Sequence, residues 1–502
     1  MRVVLVHPAG SNWVPGKSDV TVAANRLVPI GLLSIASYLE HRGVEVLVHD
    51  CLGPRAPRGV EANVRKLLSL DPDFLAFSTT TSGFPDAYEM AEAARKARPT
   101  VKNVFGGVHV SGVGAQLMER FPEIDYLVLG EGEITLFELV SGESLRRIDG
   151  LVWRDGEEVV TNFSRRAIPD LDSLPFPAYE TLAGFPRGYH LPPFSYIRAP
   201  GAAISTSRGC IYRCSYCDRS VFKRSFRSNS AEYSYRHMKH LRRRFGIRHV
   251  NIYDDLFTLD RERVLSLCEK LAAEPLGIQF NCAVRVGHTD DELLEALKKA
   301  GCLMVSVGVE SGDPEQLRHL KTGITLEMVR ETVARIQAKG LRAKGLFMMG
   351  VVGETEESIR RTSDFIIDLG LDEMNMSKFT PFPGAPCWST IRSKGSFEEN
   401  WRLMNCLNFV FVPKGIESKE RLERLYNEHV KRFYTDPAWL RKTGRRAWQH
   451  RRTLLHMLLN LPAFLAAGRH FRPNRLASTG FSSRSGARRT SPGSPGGLPP
   501  SA

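Results

Sequence analysis

Three thiols, Cys210, Cys214 and Cys217, fall within eight residues of one another in the stretch Thr206-Ser-Arg-Gly-Cys-Ile-Tyr-Arg-Cys-Ser-Tyr-Cys-Asp218. Thiolates select iron–sulfur clusters or zinc, and spacings of three and then two residues let one loop wrap a single inorganic centre. The remaining cysteines, Cys51, Cys268, Cys282, Cys302, Cys387 and Cys406, are scattered singly. The simplest site therefore has three protein ligands and one open position, which marks a catalytic rather than a structural centre. A zinc loop is the competing reading, but zinc sites usually close with four Cys or His ligands, and no second Cys/His pair follows at a finger-like spacing.

Such a loop needs a scaffold, and the flanking sequence supplies one. From Ala202 short apolar runs alternate with helical stretches: strands near 203–207, 249–253, 279–283, 304–309, 346–349 and 374–379, and helices such as 291–300 and 356–369. Six βα units predict a partial (β/α)6 TIM-type barrel, whose site lies at the C-terminal strand ends, with the cysteine loop following the first strand. Residues 2–140 show the same alternation, with strands near 3–6, 44–48, 74–78, 101–105 and 126–129. That pattern predicts an α/β fold with a doubly wound parallel sheet, ligand beyond the carboxyl ends of the strands. Those ends carry His7-Pro-Ala-Gly10, Ser78, Gly106-Gly107 and Gly130-Glu-Gly-Glu133. The expected organisation is 1–145, a hairpin and Pro-rich linker over 146–200, the barrel over 201–395, a helical extension over 396–472 and a disordered basic tail over 473–502.

The C-x3-C-x2-C spacing with Tyr216 before the last cysteine resembles the cluster loop of the radical S-adenosylmethionine superfamily. The resemblance implies a [4Fe–4S] cluster on Cys210, Cys214 and Cys217, with its unique iron left for S-adenosylmethionine, and cleavage to a 5′-deoxyadenosyl radical. It also implies roles at the other strand ends: Asp254 or Asp255 for the methionine amine, Glu310 and Ser311 for the ribose, Gly350 and Gly353 beside the adenine, and Arg285 for the carboxylate. Residues 1–140, through Phe105-Gly-Gly-Val-His109 and Asp125-Tyr-Leu-Val-Leu-Gly-Glu-Gly-Glu133, resemble the cobalamin (B12)-binding domain that precedes the radical domain in one subgroup. Ser78, Gly106 and Gly107 are then cobalamin-binding candidates. In the family motif D-x-H-x-x-G, His7 and Gly10 are kept, but Leu5 stands where Asp should orient the imidazole of a cobalt ligand.

This combination resembles the class B methyltransferases and the anaerobic magnesium-protoporphyrin ester cyclases. It implies methyl transfer to an unactivated carbon, with oxidative cyclisation or ring rearrangement as the alternative, and a flavodoxin or ferredoxin as electron donor.

The net charge of +14 suggests nucleic acid until it is localised. Twelve of the 69 basic residues lie from Arg441 onward, where no Asp or Glu occurs, leaving 57 against 55 acidic residues in the rest. The body is near neutral and the tail is basic. Methylthiotransferases that modify tRNA share the cluster loop but carry further paired cysteines and an RNA-binding β-domain, so nucleic acid is not the expected partner. A basic flank beside the apolar face of 445–472 fits peripheral membrane contact and a lipid-like or other small-molecule substrate. Irregular cysteine spacing and a start directly in a strand predict a cytoplasmic protein.

Overall fold

The computed structural model describes residues 1–10, 26–191, 196 and 198–449. The first sheet has seven strands in the order β2-β1-β3-β4-β5-β6-β7: β1 (Arg2–His7), β2 (Glu45–Asp50), β3 (Phe74–Ser78), β4 (Lys102–Gly106), β5 (Tyr126–Val128), β6 (Leu151–Asp155) and β7 (Glu158–Thr161). The first five are parallel, and the run Val3-Val-Leu-Val6 shows why they sit at the centre. Val4 and Val6 enter one apolar cluster and Val3 and Leu5 another, so both faces of β1 are covered by helices. The chain reverses between β1 and β3, and this switch point opens a crevice at their carboxyl ends. The Asp155-Gly156 turn forms the expected hairpin, but β6 pairs antiparallel with β5, so the hairpin extends this sheet and does not stand apart as linker.

The second sheet is a half-barrel of six parallel strands: β8 (Gly201–Ile204), β11 (His249–Ile252), β12 (Gln279–Arg285), β13 (Cys302–Glu310), β14 (Arg342–Met349) and β15 (Glu373–Lys378). Between β8 and β11 a short antiparallel pair, β9 (Ser207–Arg208) and β10 (Arg227–Ser228), closes the base of the cysteine loop. Outward residues such as Val250, Cys282, Val305, Val307 and Met349 pack beneath the helices in one core. The helices are delimited by side-chain caps, among them Asp260, Asp290, Thr325 and Thr355, each accepting from a first-turn amide.

Past residue 395 the chain binds both sheets. A small pair, β16 (Gly395–Phe397) with β17 (Phe411–Pro413), flanks Trp401, which packs on Phe84 and His109 of the first unit while Arg402 pairs with Asp86 and Glu89. The helix Lys419–Tyr434 then covers the open edge of β15. Tyr426 and Tyr434 donate hydroxyl protons to the Met376 and Met374 carbonyls at 3.0 and 2.9 Å, and the Trp439 indole donates to the Asp372 carbonyl. Side chains thus occupy an edge that would otherwise be free to pair with another strand. Among the described residues no helix is long and apolar enough to cross a membrane. Residues 450–502, with most of the basic tail, lie outside the described residues.

Candidate functional site

The crevice of the first sheet faces the half-barrel mouth across a cavity of about 330 Å³. Ser78, Gly106 and Gly107 line it from one side, and Ser207, Arg208 and Tyr253 from the other. Gly107 has φ +98°, and a Cβ there would stand 2.7 Å from the Thr79 carbonyl oxygen, so only glycine brings the chain this close. His109 of the same motif turns into the core against Phe84 and Trp401, where burial depresses its pKa to about 3.

The cysteine loop leaves β9 through Gly209, at φ +88°, where a Cβ would collide with the Ser225 carbonyl. Farther along, the Ser215 amide donates to the Leu320 carbonyl at 3.2 Å and its carbonyl accepts from the Cys387 amide at 3.1 Å. Held this way, Cys210, Cys214 and Cys217 are half-buried, unpaired thiols that feel one another's charge. Burial, then the Cys214 thiolate, then Asp255, push Cys217 up to about 12; Cys210 is raised by burial, with Cys214 and Asp255 adding to it. Burial first, and the neighbouring thiol charge second, hold Cys210 and Cys217 protonated, and a cationic centre bound by the three soft donors would favour their thiolates. Among the described residues no three His, Cys, Asp or Glu groups are already closed into a metal-binding arrangement.

Glu310 ends β13 in the left-handed region, at φ +74°, beside a break in its register with β14. A non-glycine residue held there costs energy and commonly marks a functional position. Its carboxylate pairs with Lys321 at 2.8 Å and also accepts from the Tyr216 hydroxyl, whose pKa rises through burial and the Glu310 charge. Glu310 is thereby tied to the cysteine loop itself. Ser311 is fully buried and shares a hydrogen bond with Thr362, at 3.2 Å.

The two aspartates after β11 behave differently. Asp254 is buried and accepts from the Thr206 amide and hydroxyl, both at 2.6 Å, so it anchors the start of the cysteine loop. Asp255 is solvent-exposed, yet enough protein surrounds its carboxyl to raise its pKa, with the Asp254 charge adding to the effect. Exposure and desolvation together describe the wall of a cleft. Tyr253, 44% exposed with a raised pKa, shares that wall. Arg285 lies 3.7 Å over the Tyr212 ring and donates to the Thr322 carbonyl at 2.8 Å. Gly350 and Gly353 both have positive φ. The Gly350 and Val351 amides donate to Glu354, whose burial lifts its pKa to about 8.

His7 is not among the residues lining the cavity. Its Nδ1 lies 2.9 Å from Asp50, which is also bound by the Tyr189 hydroxyl and the Leu52 amide. The partner absent at Leu5 is thus supplied by the neighbouring strand, where His7 and Asp50 are in register. Burial would raise the Asp50 pKa, but the His7 charge and these hydrogen bonds bring it below the usual value.

Sequence reasoning noted the glycines of Gly130-Glu-Gly-Glu133, yet the carboxylates join the two sheets. Arg208 donates to Glu131 and Glu133 at 2.6 Å each, and Arg227 binds Glu131 at 2.8 Å. Two acids flanking one glycine at a strand end were the available signal. Lys321, on the far side of the helix Pro314–Leu320, gave none.

Residues 204–366 match the Radical SAM superfamily, and residues 16–140 match the B12 binding domain. Over 452 residues, 88% of this chain and 94% of the relative, the chain is 30% identical to an uncharacterized methyltransferase of Pyrococcus horikoshii. It is 27% identical over 482 residues, 93% of this chain and 75% of the relative, to the anaerobic magnesium-protoporphyrin IX monomethyl ester cyclase of Cereibacter sphaeroides. Its fold superposes with a TM-score of 0.66, covering 87% of this chain and 89% of the other at 19% identity, on the radical S-adenosylmethionine methyltransferase TsrM of Kitasatospora setae, solved with cobalamin and a [4Fe-4S] cluster bound. With the cysteine loop at the barrel mouth and a cobalamin-type sheet facing it, the chain belongs to the radical S-adenosylmethionine enzymes that carry a B12-binding domain.

Proposed function

We propose that this chain is a cobalamin-dependent radical S-adenosylmethionine methyltransferase acting on an unactivated carbon of a small molecule. The observation that carries the reading is the single cavity onto which the first sheet's strand ends and the residues framing the cysteine loop both open. Cys210, Cys214 and Cys217 would hold the cluster; Ser78, Gly106 and Gly107 would receive cobalamin, with no call on His7. When bound, the cluster with S-adenosylmethionine supplies one-electron hydrogen abstraction, and cobalamin supplies a transferable methyl group.

The chain's own part is positioning. Asp254 holds Thr206, and so sets where the loop begins; Asp255, facing the cleft, is the freer carboxylate for an amine. Glu310 is offered for the ribose by Lys321 and Tyr216, with Ser311 fixing the turn behind it. Arg285 supplies a cation near Cys210, and Gly350 and Gly353 leave room for a flat ring.

Similarity to the magnesium-protoporphyrin cyclase supports a second reading, oxidative cyclisation with the same cofactors. Mass spectrometry of products made with methyl-labelled S-adenosylmethionine and candidate lipids or tetrapyrroles separates the two. Label in the product supports methyl transfer, and a product lighter by hydrogen without label supports cyclisation.

A flavodoxin or ferredoxin would supply electrons, in a cytoplasmic setting. The ten basic residues from Arg445 onward support contact with an anionic membrane surface, each one near that surface worth ~1 kcal/mol. Co-sedimentation with anionic vesicles tests this: the full chain should pellet and a chain truncated at Tyr434 should not, whereas equal, negligible pelleting of both would exclude membrane contact.

A further inference from the structure

Interiors of barrels built from parallel strands are ordinarily filled by layers of apolar side chains. Here the layer halfway along the half-barrel is charged. Ala343, Phe347, Met374 and Met376 of β14 and β15 face outward into the core, so strand alternation turns Lys344 and Glu373 inward. The two are paired in register, their charged groups 3.3 Å apart, with side chains only 15% and 11% exposed. Ser306 of β13 is the next residue in that layer. Among the described residues, Glu373 Oε2 is buried without a hydrogen-bond partner. Tyr253, which lines the interdomain cavity, feels the Glu373 charge, so the pair lies close to that cavity's wall.

As a stabilising device this pair is poor. Desolvating two charges is offset only when their remaining donors and acceptors are satisfied, and apolar residues of similar size would serve the fold as well or better. Among the described residues one carboxylate oxygen is left over, and Lys344 makes a single hydrogen bond, to Glu373, while its ammonium carries three donors. A ligand that enters between them must return an anion to Lys344 and a cation to Glu373. Opposite full charges offset desolvation better than hydroxyl or amide dipoles, because charge-assisted hydrogen bonds are about twice as strong. The group that carries both charges on neighbouring atoms is the ammonium-carboxylate of an α-amino acid.

We propose that Lys344 and Glu373 form a substrate-recognition subsite inside the half-barrel, and that the substrate is an α-amino acid or presents one. The inference rests on the radical-enzyme reading above and deepens it by naming the substrate class. S-adenosylmethionine carries the same group, so the test saturates the protein with it. Full-length protein, reconstituted with iron, sulfide and cobalamin and held without reductant, is dialysed to equilibrium against each of the twenty common L-amino acids.

At least one should bind, and Lys344→Met and Glu373→Gln should each weaken it by about tenfold or more, the loss of one charge-assisted hydrogen bond. The double variant Lys344→Met/Glu373→Met should melt no lower than wild type, whereas a pair present for the fold would lower the melting temperature. Absence of binding by all twenty to wild type, equal binding by the variants, or weakened S-adenosylmethionine binding in its place would overturn the assignment. Formation of 5′-deoxyadenosine by reduced wild-type protein is measured alongside. If it forms and no amino acid binds, the subsite alone is wrong; if it does not form, the radical reading itself fails.

Discussion

Arg208 and Glu133 meet at 2.6 Å across the junction of the two sheets, two residues before Cys210 in the chain. Glu133 is buried, which alone would raise its pKa, yet the Arg208 charge and hydrogen bond bring the pKa below its usual value. With Glu131 and Arg227 the pair makes a compact ionic joint, and Ser34 adds a further donor to Glu133. The first sheet thereby sets the position of the strand from which the cysteine loop departs. Removing one member of a buried pair strands the other, at a cost of about 3–5 kcal/mol. Urea melts of Arg208→Ala should show a loss of that order, with a smaller loss for Arg208→Lys, which keeps the charge but not the two-pronged geometry. Losses below about 1 kcal/mol in both, the size typical of exposed pairs, would remove the joint from the account.

Glu354 gives a pH signature. Its carboxyl sits in the turn beside Gly350 with a pKa of about 8, against about 4.3 when exposed. The folded state therefore binds this proton more tightly than the unfolded state. The stabilisation is complete below the unfolded pKa and is lost as pH rises through about 8. Glu354→Gln keeps an acceptor for the Gly350 and Val351 amides without a titrating group. Melting temperature should decline from pH 5 to 8 more steeply in wild type than in this variant, and parallel pH profiles would contradict the assignment.

Much of this architecture was legible in the sequence, and the failures share a cause. The cysteine loop could be read because its ligands are local, separated by three and two residues. The strands could be read because parallel strands covered on both faces leave runs such as Val3-Val-Leu-Val6. Partners fixed only by tertiary register could not. Asp50 reaches His7 because β1 and β2 run side by side, and Lys321 reaches Glu310 by folding back past a helix. The hairpin turn at Asp155-Gly156 was visible, but its docking on β5 was not, since nothing local to a hairpin marks the sheet it joins. The contact of Asp254 with Thr206 is likewise fixed by tertiary structure, 48 residues apart in the chain, and left no local mark.

His7 provides a third check. Its imidazole is held by Asp50 and stands apart from the cavity lining. His7→Ala should therefore take up cobalamin as wild type does, with an unchanged visible spectrum, while losing about 1 to 3 kcal/mol from the carboxylate left without that partner. A shifted spectrum or failed uptake in a folded variant would make His7 a cobalt ligand.

The central claim is that Cys210, Cys214 and Cys217 act as one ligand set, and it is tested most directly at the middle thiol, which raises the pKa of both others. Anaerobically reconstituted wild-type protein should hold about four irons per chain and, once reduced, convert S-adenosylmethionine to 5′-deoxyadenosine. Cys214→Ala should lose the cluster and form no 5′-deoxyadenosine. Full iron content and undiminished cleavage in that variant would contradict the account.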